Sequence, residues 1–204
     1  MNKITLNKAI KHLKTDNKLK KIIQKYPVPN FSHNTNYFDA LSKSIIYQQL
    51  SGKVARIIYN RFLNLFPAKN PDPNYYLDIN DSDLKKIGLS KQKINYINNL
   101  SIFFINNKDE HLFNNLSEQE IHDKLIIIKG IGKWTIDMFM MFTLYKTDIL
   151  PVGDLGIKKA FKNLYNLQKL PSEAFMNQKS NNWKPYRTIA SCYLWMIIDD
   201  ENVW

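Results

Sequence analysis

The sequence predicts an all-α protein built of short helices, and three observations carry that expectation. Glycine and proline are sparse, 6 and 8 in 204 residues, so few positions force the chain out of a helix. Apolar residues recur mostly at three- and four-residue spacing instead of alternating, which is the period of one helix face. Residues that cap helices stand where the apolar-periodic segments begin.

The elements follow in order. Between Tyr37 and Phe66, Leu41 and Ile45, then Val54, Ile57, Ile58, Phe62 and Leu65, mark two amphipathic helices. They are interrupted at Leu50-Ser51-Gly52, where Ser51 can cap the second, so Gln48 and Gln49 fall at a helix–helix junction. The run from Pro67 to Pro73 cannot be a helix interior and reads as a surface loop. A short helix from Asp81 to Ile87 stops at Gly88, which tolerates a left-handed C-terminal cap, and Ser90 can start the next helix, through Phe104. Ser117 with Glu120 three residues later matches a capping box and announces a helix that carries Ile121, Leu125 and Ile128. The tail from Trp183 to Trp204 reads as a strongly apolar helix with an acidic end, Asp199-Asp200-Glu201. The chain contains no repeat of solenoid period and no low-complexity linker.

Lys and Arg number 29 against 18 Asp and Glu, a formal charge of +11. Such an excess attracts polyanions, which makes nucleic acid the leading partner class; a solvated lysine face is the plainer alternative. The single cysteine, Cys192, lies in an apolar stretch and reads as a buried, inert thiol. It excludes an intramolecular disulfide and any cluster held by four cysteines. His12, His33, His111 and His122 lack metal-ligand spacing and read as surface residues. Neither end carries a secretory pattern, and no apolar run approaches the roughly 20 residues of a membrane helix. An intracellular, soluble protein without a membrane partner is therefore expected.

The most informative stretch is Leu125-Ile126-Ile127-Ile128-Lys129-Gly130-Ile131-Gly132-Lys133-Trp134-Thr135. Two glycines one residue apart separate an apolar helix end from a new helix carrying Met138, Phe139, Met141 and Phe142. Glycines there permit positive φ and close backbone approach, and the N–H groups opening the second helix suit a phosphate oxygen. Lys129 and Lys133 add charge beside those donors. An ordinary tight turn between core helices is the competing reading; the flanking lysines favour phosphate binding.

These residues resemble the helix-hairpin-helix motif of the DNA glycosylase superfamily that also carries a Gly-Pro-rich loop and a catalytic aspartate (HhH-GPD). The segment from Asp148 through Pro151-Val152-Gly153-Asp154-Leu155 to Lys158 resembles the loop presenting that aspartate. Ile45 to Ser51 and Gly88 to Lys93 also resemble family segments, and Trp183 to Ala190 is similar to the final helix of the 3-methyladenine DNA glycosylase II branch. The resemblance spans about residues 38–197 in ordered blocks. It implies one catalytic domain of two helical lobes, residues 37–146 with the hairpin motif at about 118–143, and residues 1–36 with 147–204. DNA would cross the cleft between them. It further implies a monomer acting on damaged double-stranded DNA, with no cofactor and no metal held by side chains. In relatives the hairpin carbonyls hold a monovalent cation.

Cleaving a purine from deoxyribose builds positive charge on the sugar, and a fixed carboxylate stabilises that transition state and can orient or deprotonate water. Asp154 is expected in that role; alone, it reads equally as the cap of a helix starting at Leu155, and a cap would also fix its position. Family members that nick the strand resemble one another in a lysine nucleophile at the position of Trp134 here, and tryptophan forms no Schiff base. Lys133, one residue earlier, faces elsewhere, so simple hydrolysis leaving an abasic site is expected. The target base must leave the duplex. By resemblance Trp134 and Tyr186 match aromatic pocket positions, and Met138 and Leu155 match positions where some relatives have tyrosine. Lys129, Gly130, Ile131, Gly132, Lys133 and Thr135 would grip DNA at the hairpin, and Gln48, Gln49, Leu50 and Ser51 at the junction. Gln49 is favoured as the wedge that fills the gap, whereas Gln48 reads by default as a helix-end hydrogen bonder. Asp137 either supports the site or complements the positive end of its helix. The rivals are a non-catalytic hairpin module, which needs no Asp154, a glycosylase with another lesion preference, including a glycosylase-lyase for oxidised bases, and a basic helical scaffold.

Overall fold

In a computed structural model describing residues 1, 3–31, 36–108 and 112–198, the chain folds into helices with no strand among those residues. His33, His111 and the acidic end Asp199-Asp200-Glu201 lie outside the described residues. Twelve α-helices appear among them: α1 Lys3–Leu13, α2 Asn17–Lys25, α3 Tyr37–Tyr47, α4 Gly52–Leu63, α5 Pro73–Asp78, α6 Asp81–Lys86, α7 Lys91–Asn106, α8 Glu118–Ile126, α9 Lys133–Phe142, α10 Leu155–Leu164, α11 Glu173–Lys179 and α12 Arg187–Met196. No helix is long and apolar enough to cross a membrane, and no group of three or more His, Cys, Asp or Glu is placed to hold a metal, among the described residues.

The local signals account for most boundaries. Gly88, at φ +104, follows α6, and the Ser90 hydroxyl accepts from the Lys93 N–H to cap α7. Ser117 and Glu120 close the capping box of α8. Two expectations need correction. The proline run is not wholly loop: Pro67–Lys69 is a 3-10 turn, and Pro73 opens α5 at a first-turn position where a missing N–H costs nothing. The C-terminal helix begins only at Arg187, after Pro185, with Asn181–Trp183 a separate 3-10 turn.

The chain forms two compact units, residues 34–139 and residues 1–33 with 140–204. In the first, α7 packs against α3 and α5, with Phe38, Leu41, Ile45, Phe62, Tyr76, Ile97 and Leu100 buried. In the second, α12 packs against α1, α2 and α10. Leu13, Leu19, Ile157, Phe161, Trp183, Ile189 and Tyr193 form its core. Asp16 holds its N-terminal helices in place: Oδ1 caps α2 by accepting from Lys18 and Leu19, and Oδ2 accepts from Trp183 Nε1 at 2.9 Å. Cys192 is buried, and burial pushes its thiol up to about 12, as its apolar setting suggested. His12 is half-exposed, its Nε2 2.9 Å from the Asn182 carbonyl and its ring edge-on to Tyr186. His122 sits half-buried beside Asp123.

Candidate DNA-binding hairpin and carboxylate site

In the 34–139 unit, the hairpin joins α8 to α9 through a turn closed by the Ile131 N–H donating to Ile128 O at 2.9 Å. Its two glycines do different work. Gly130 sits at φ +106, and a Cβ there would lie 2.2 Å from Tyr96 Cγ. A Cβ at Gly132 would have no atom within 4 Å, and the residue is exposed. The first glycine is thus required by the fold, and the second leaves an open backbone surface where α9 starts, the end at which amide N–H groups and the helix dipole favour an anion. Lys129 and Lys133 flank it, exposed, whereas Ile131 (4% exposed) and Thr135 (1%) are buried and offer a phosphate only their backbones.

The α3–α4 junction is bound to this hairpin. Gln48 Nε2 donates to Gly130 O at 3.1 Å and to Thr135 Oγ1 at 3.0 Å, the helix-end hydrogen bonding that its position suggested. Gln49 is exposed at φ +56, Leu50 is 37% exposed, and Ser51 stands at the N-cap of α4 without a capping bond from its hydroxyl. Asn99 Nδ2 donates to Lys129 O at 3.4 Å. The carbonyls of Gly130 and Lys129 thus each accept one of these side-chain bonds.

On α9, Trp134 is half-buried and Met138 is only 2% exposed. Asp137, 7% exposed, is pushed up to about 7 by burial, with Lys133 and His122 pulling it down and Glu118 pushing it further up. It is therefore a desolvated carboxyl rather than a solvated complement to the helix dipole.

In the other unit, Asp154 is the N-cap of α10, and its Oδ1 accepts from Ile157 N at 2.8 Å and from Trp195 Nε1 at 2.9 Å. Trp195 in turn packs on Phe142, with ring centroids 6.1 Å apart. Gly156 makes room for this pair: a Cβ there would approach Asp154 Oδ1 and Trp195 Cδ1 to 3.0 Å. The preceding turn is closed by Asp154 N donating to Pro151 O at 2.9 Å. Gly153 adopts no positive φ and has open space beside it, so the turn does not depend on a glycine there. The loop is fastened to the start of α12. Arg187 Nε and Nη2 donate to the two carboxylate oxygens of Asp148 at 2.7 and 2.9 Å, and Nη2 also donates to the Asp148 carbonyl. Thr188 Oγ1 accepts from Ile149 N and donates to Lys146 O. With Leu150 and Val152 buried, Asp154 stands on a rigid support.

Tyr186 is half-buried at the N-cap of α12, and Leu155 is 54% exposed. Sequence reasoning missed Trp195 and Arg187 as positioning groups. The only signal for Trp195 was an indole N–H in an apolar helix, which demands an acceptor but does not name it.

Comparison with known proteins places this geometry in context. The model of the HhH-GPD superfamily base excision DNA repair protein family matches residues 42–185, a span that includes the hairpin and the Asp154 loop. The chain is similar to DNA-3-methyladenine glycosylase 1 of Schizosaccharomyces pombe, 30% identical over 183 residues, covering 87% of this chain and 79% of that one. It is also similar to the alkylbase DNA glycosidase-like protein mag2 of the same yeast, 29% identical over 93% of this chain and 92% of that one. Among solved structures, S. pombe 3-methyladenine DNA glycosylase in complex with abasic DNA superposes with a TM-score of 0.87 at 29% identity, covering 97% of this chain and 98% of the other. A DNA-3-methyladenine glycosidase from Bacillus halodurans gives 0.78 at 33% identity, covering 92% and 87%.

Proposed function

The chain belongs to the HhH-GPD superfamily of base excision DNA repair proteins, and on that premise we propose that it hydrolyses the N-glycosidic bond of alkylated purines in duplex DNA, with Asp154 as the essential carboxylate. It is a base-excision glycosylase of alkylated bases, in line with the S. pombe relative named DNA-3-methyladenine glycosylase 1. The observation that carries the assignment of Asp154 is its double fixation, at a helix N-cap and by Trp195. A carboxylate so held needs no reorganisation when positive charge develops on the sugar, which is where preorganised electrostatics gains most. Capping and catalysis are compatible roles for the same group.

On the family resemblance Trp134 and Tyr186 are each assigned to hold a flipped-out purine, with Met138 and Leu155 in lesser roles; aromatic faces attract a cationic methylated base, which also leaves readily. Gln49 is the wedge, because Gln48 is committed to the hairpin while Gln49 and Leu50 are exposed. The hairpin backbone at Gly132 with Lys129 and Lys133 grips a phosphate, and a monovalent cation on the Lys129 and Gly130 carbonyls would add positive charge there. With tryptophan, which forms no Schiff base, at position 134, the product is an intact strand bearing an abasic site. The enzyme acts as a monomer, without a cofactor, in the compartment that holds DNA.

The test is release of free base from duplexes carrying 7-methylguanine or ethenoadenine, and from methylated genomic DNA, by the wild type and Asp154→Asn, with intact DNA alongside. The expected result is base release with unbroken abasic strands by the wild type and DNA binding without excision by the variant. Folded wild type that binds DNA but frees no base would overturn alkyl-purine excision and favour a binding module. Covalent trapping by borohydride would overturn the hydrolytic mechanism.

A further inference from the structure

The corner between α3 and α4 is made without a glycine at its tightest point. After α3 ends, Gln48 is extended (φ −53, ψ 130), Gln49 takes φ +56, and Leu50 N turns back to Tyr47 O at 3.4 Å. A left-handed glutamine persists only where its surroundings hold it there. The end of a helix also leaves carbonyls without intrahelical donors. One side chain answers both needs: Lys93, from the first turn of α7, donates its ammonium to Ile46 O at 2.7 Å and to Gln48 O at 2.9 Å. Burial lowers the pKa of Lys93 from the ordinary lysine value, so these two bonds offset a real desolvation cost. Gln48 is thereby held at both ends, its carbonyl by Lys93 and its amide by Gly130 and Thr135 of the hairpin. Gln49 and Leu50 are left pointing to solvent from a corner that cannot easily yield.

We propose that Lys93 is a positioning residue for base extrusion: it locks the α3–α4 corner to the hairpin, so that Gln49 and Leu50 stand at a fixed reach from the phosphate that the hairpin grips. This rests on the reading of Gln49 as the wedge. A side chain fills the gap left by an extruded nucleotide only if its own backbone resists the tendency of the base stack to close. A wedge on a loose corner would leave phosphate binding and the carboxylate intact while failing at extrusion.

Two measurements on the full chain test this. The first follows fluorescence of 2-aminopurine placed beside a tetrahydrofuran abasic analogue, which reports wedging without chemistry. The second compares single-turnover excision of 7-methylguanine paired with cytosine and of the same base in an unpaired loop, where little extrusion is required. Lys93→Met is expected to slow excision of the paired lesion by about ten- to a hundredfold, the scale of a small misplacement away from the reacting atoms. It should leave the looped lesion near the wild-type rate and diminish the 2-aminopurine response. Lys93→Arg, which can still donate to two carbonyls, should restore most of the paired rate. In a Gln49→Ala/Leu50→Ala background, Lys93→Met should add nothing further. Should Lys93→Met not fold, Lys93→Gln, which can donate to one carbonyl, carries the same comparisons. Equal losses on paired and looped lesions, additivity in the wedge-deleted background, or an unchanged 2-aminopurine response would overturn the proposal. Wild type that frees no base would defeat the glycosylase reading, and the fluorescence arm would still decide on Lys93.

Discussion

A methyl group added to Gly130 and, separately, to Gly132 should divide the hairpin into a part that folds the protein and a part that meets DNA. At Gly130 two costs combine. The residue sits at φ +106, where an L side chain is strained by about 1–2 kcal/mol. The new Cβ would also lie 2.2, 2.5 and 2.6 Å from Cγ, Cβ and Cδ1 of Tyr96. Tyr96 Cβ is fixed to its backbone, so rotating the ring does not relieve the overlap, and the repacking costs about 1–3 kcal/mol. Gly130→Ala should therefore destabilise the protein by about 2–5 kcal/mol, a fall in Tm of about 5–20 °C for a chain of this size. Gly132 has neither positive φ nor a neighbour within 4 Å. Gly132→Ala should leave stability within about 1 kcal/mol of wild type yet weaken binding to a duplex containing an abasic analogue about tenfold, roughly 1.4 kcal/mol. Urea and thermal unfolding read the first effect, and fluorescence anisotropy at fixed salt reads the second. Adding Tyr96→Ala to Gly130→Ala should remove the overlap with Cγ and Cδ1 but leave that with Cβ and the strain, so only part of the stability returns. Wild-type melting of Gly130→Ala, or wild-type DNA affinity of Gly132→Ala, would refute the division of labour.

The buried carboxyl of Asp137 makes stability depend on pH. Its folded value of about 7 lies above the ordinary 3.8, so the folded state holds its proton more tightly. The stability this contributes is complete below about pH 4 and lost as pH rises to about 7, by up to about 4 kcal/mol. Urea unfolding should find Asp137→Asn more stable than wild type at pH 8 and little different at pH 4; an equal gap at both would remove the linkage. Trp195→Phe keeps the ring but removes the donor to Asp154, and should cut single-turnover excision by about 1.5–3 kcal/mol, ten- to a hundredfold, with duplex affinity unchanged; a loss confined to KM would assign Trp195 to substrate binding instead. Lys129→Ala and Lys133→Ala should each lower the slope of log K against log salt by about 0.9 if each neutralises one phosphate, and an unchanged slope would remove that lysine from the interface.

The sequence by itself determined what depends on contacts a few residues apart. The Ser117–Glu120 capping box, the Gly88 stop before the Ser90 cap, the Gly130 turn and the capping of α10 by Asp154 are all interactions over three or four positions, so residue identity nearly specifies them. Where a local signal had two outcomes, the reading failed: Pro73 both breaks what precedes it and opens α5, and Ser51 occupies a cap position without making the cap bond. Tertiary structure alone decided the partners that steady the site. Trp195 meets Asp154 across 41 positions, Arg187 meets Asp148 across 39, and Lys93 reaches the Gln48 carbonyl across 45. With four indoles, three guanidinium groups and 26 lysine ammonium groups in the chain, residue type does not say which one donates. Which one arrives is fixed by the packing of whole helix faces, a property of the buried core that no short stretch of sequence contains.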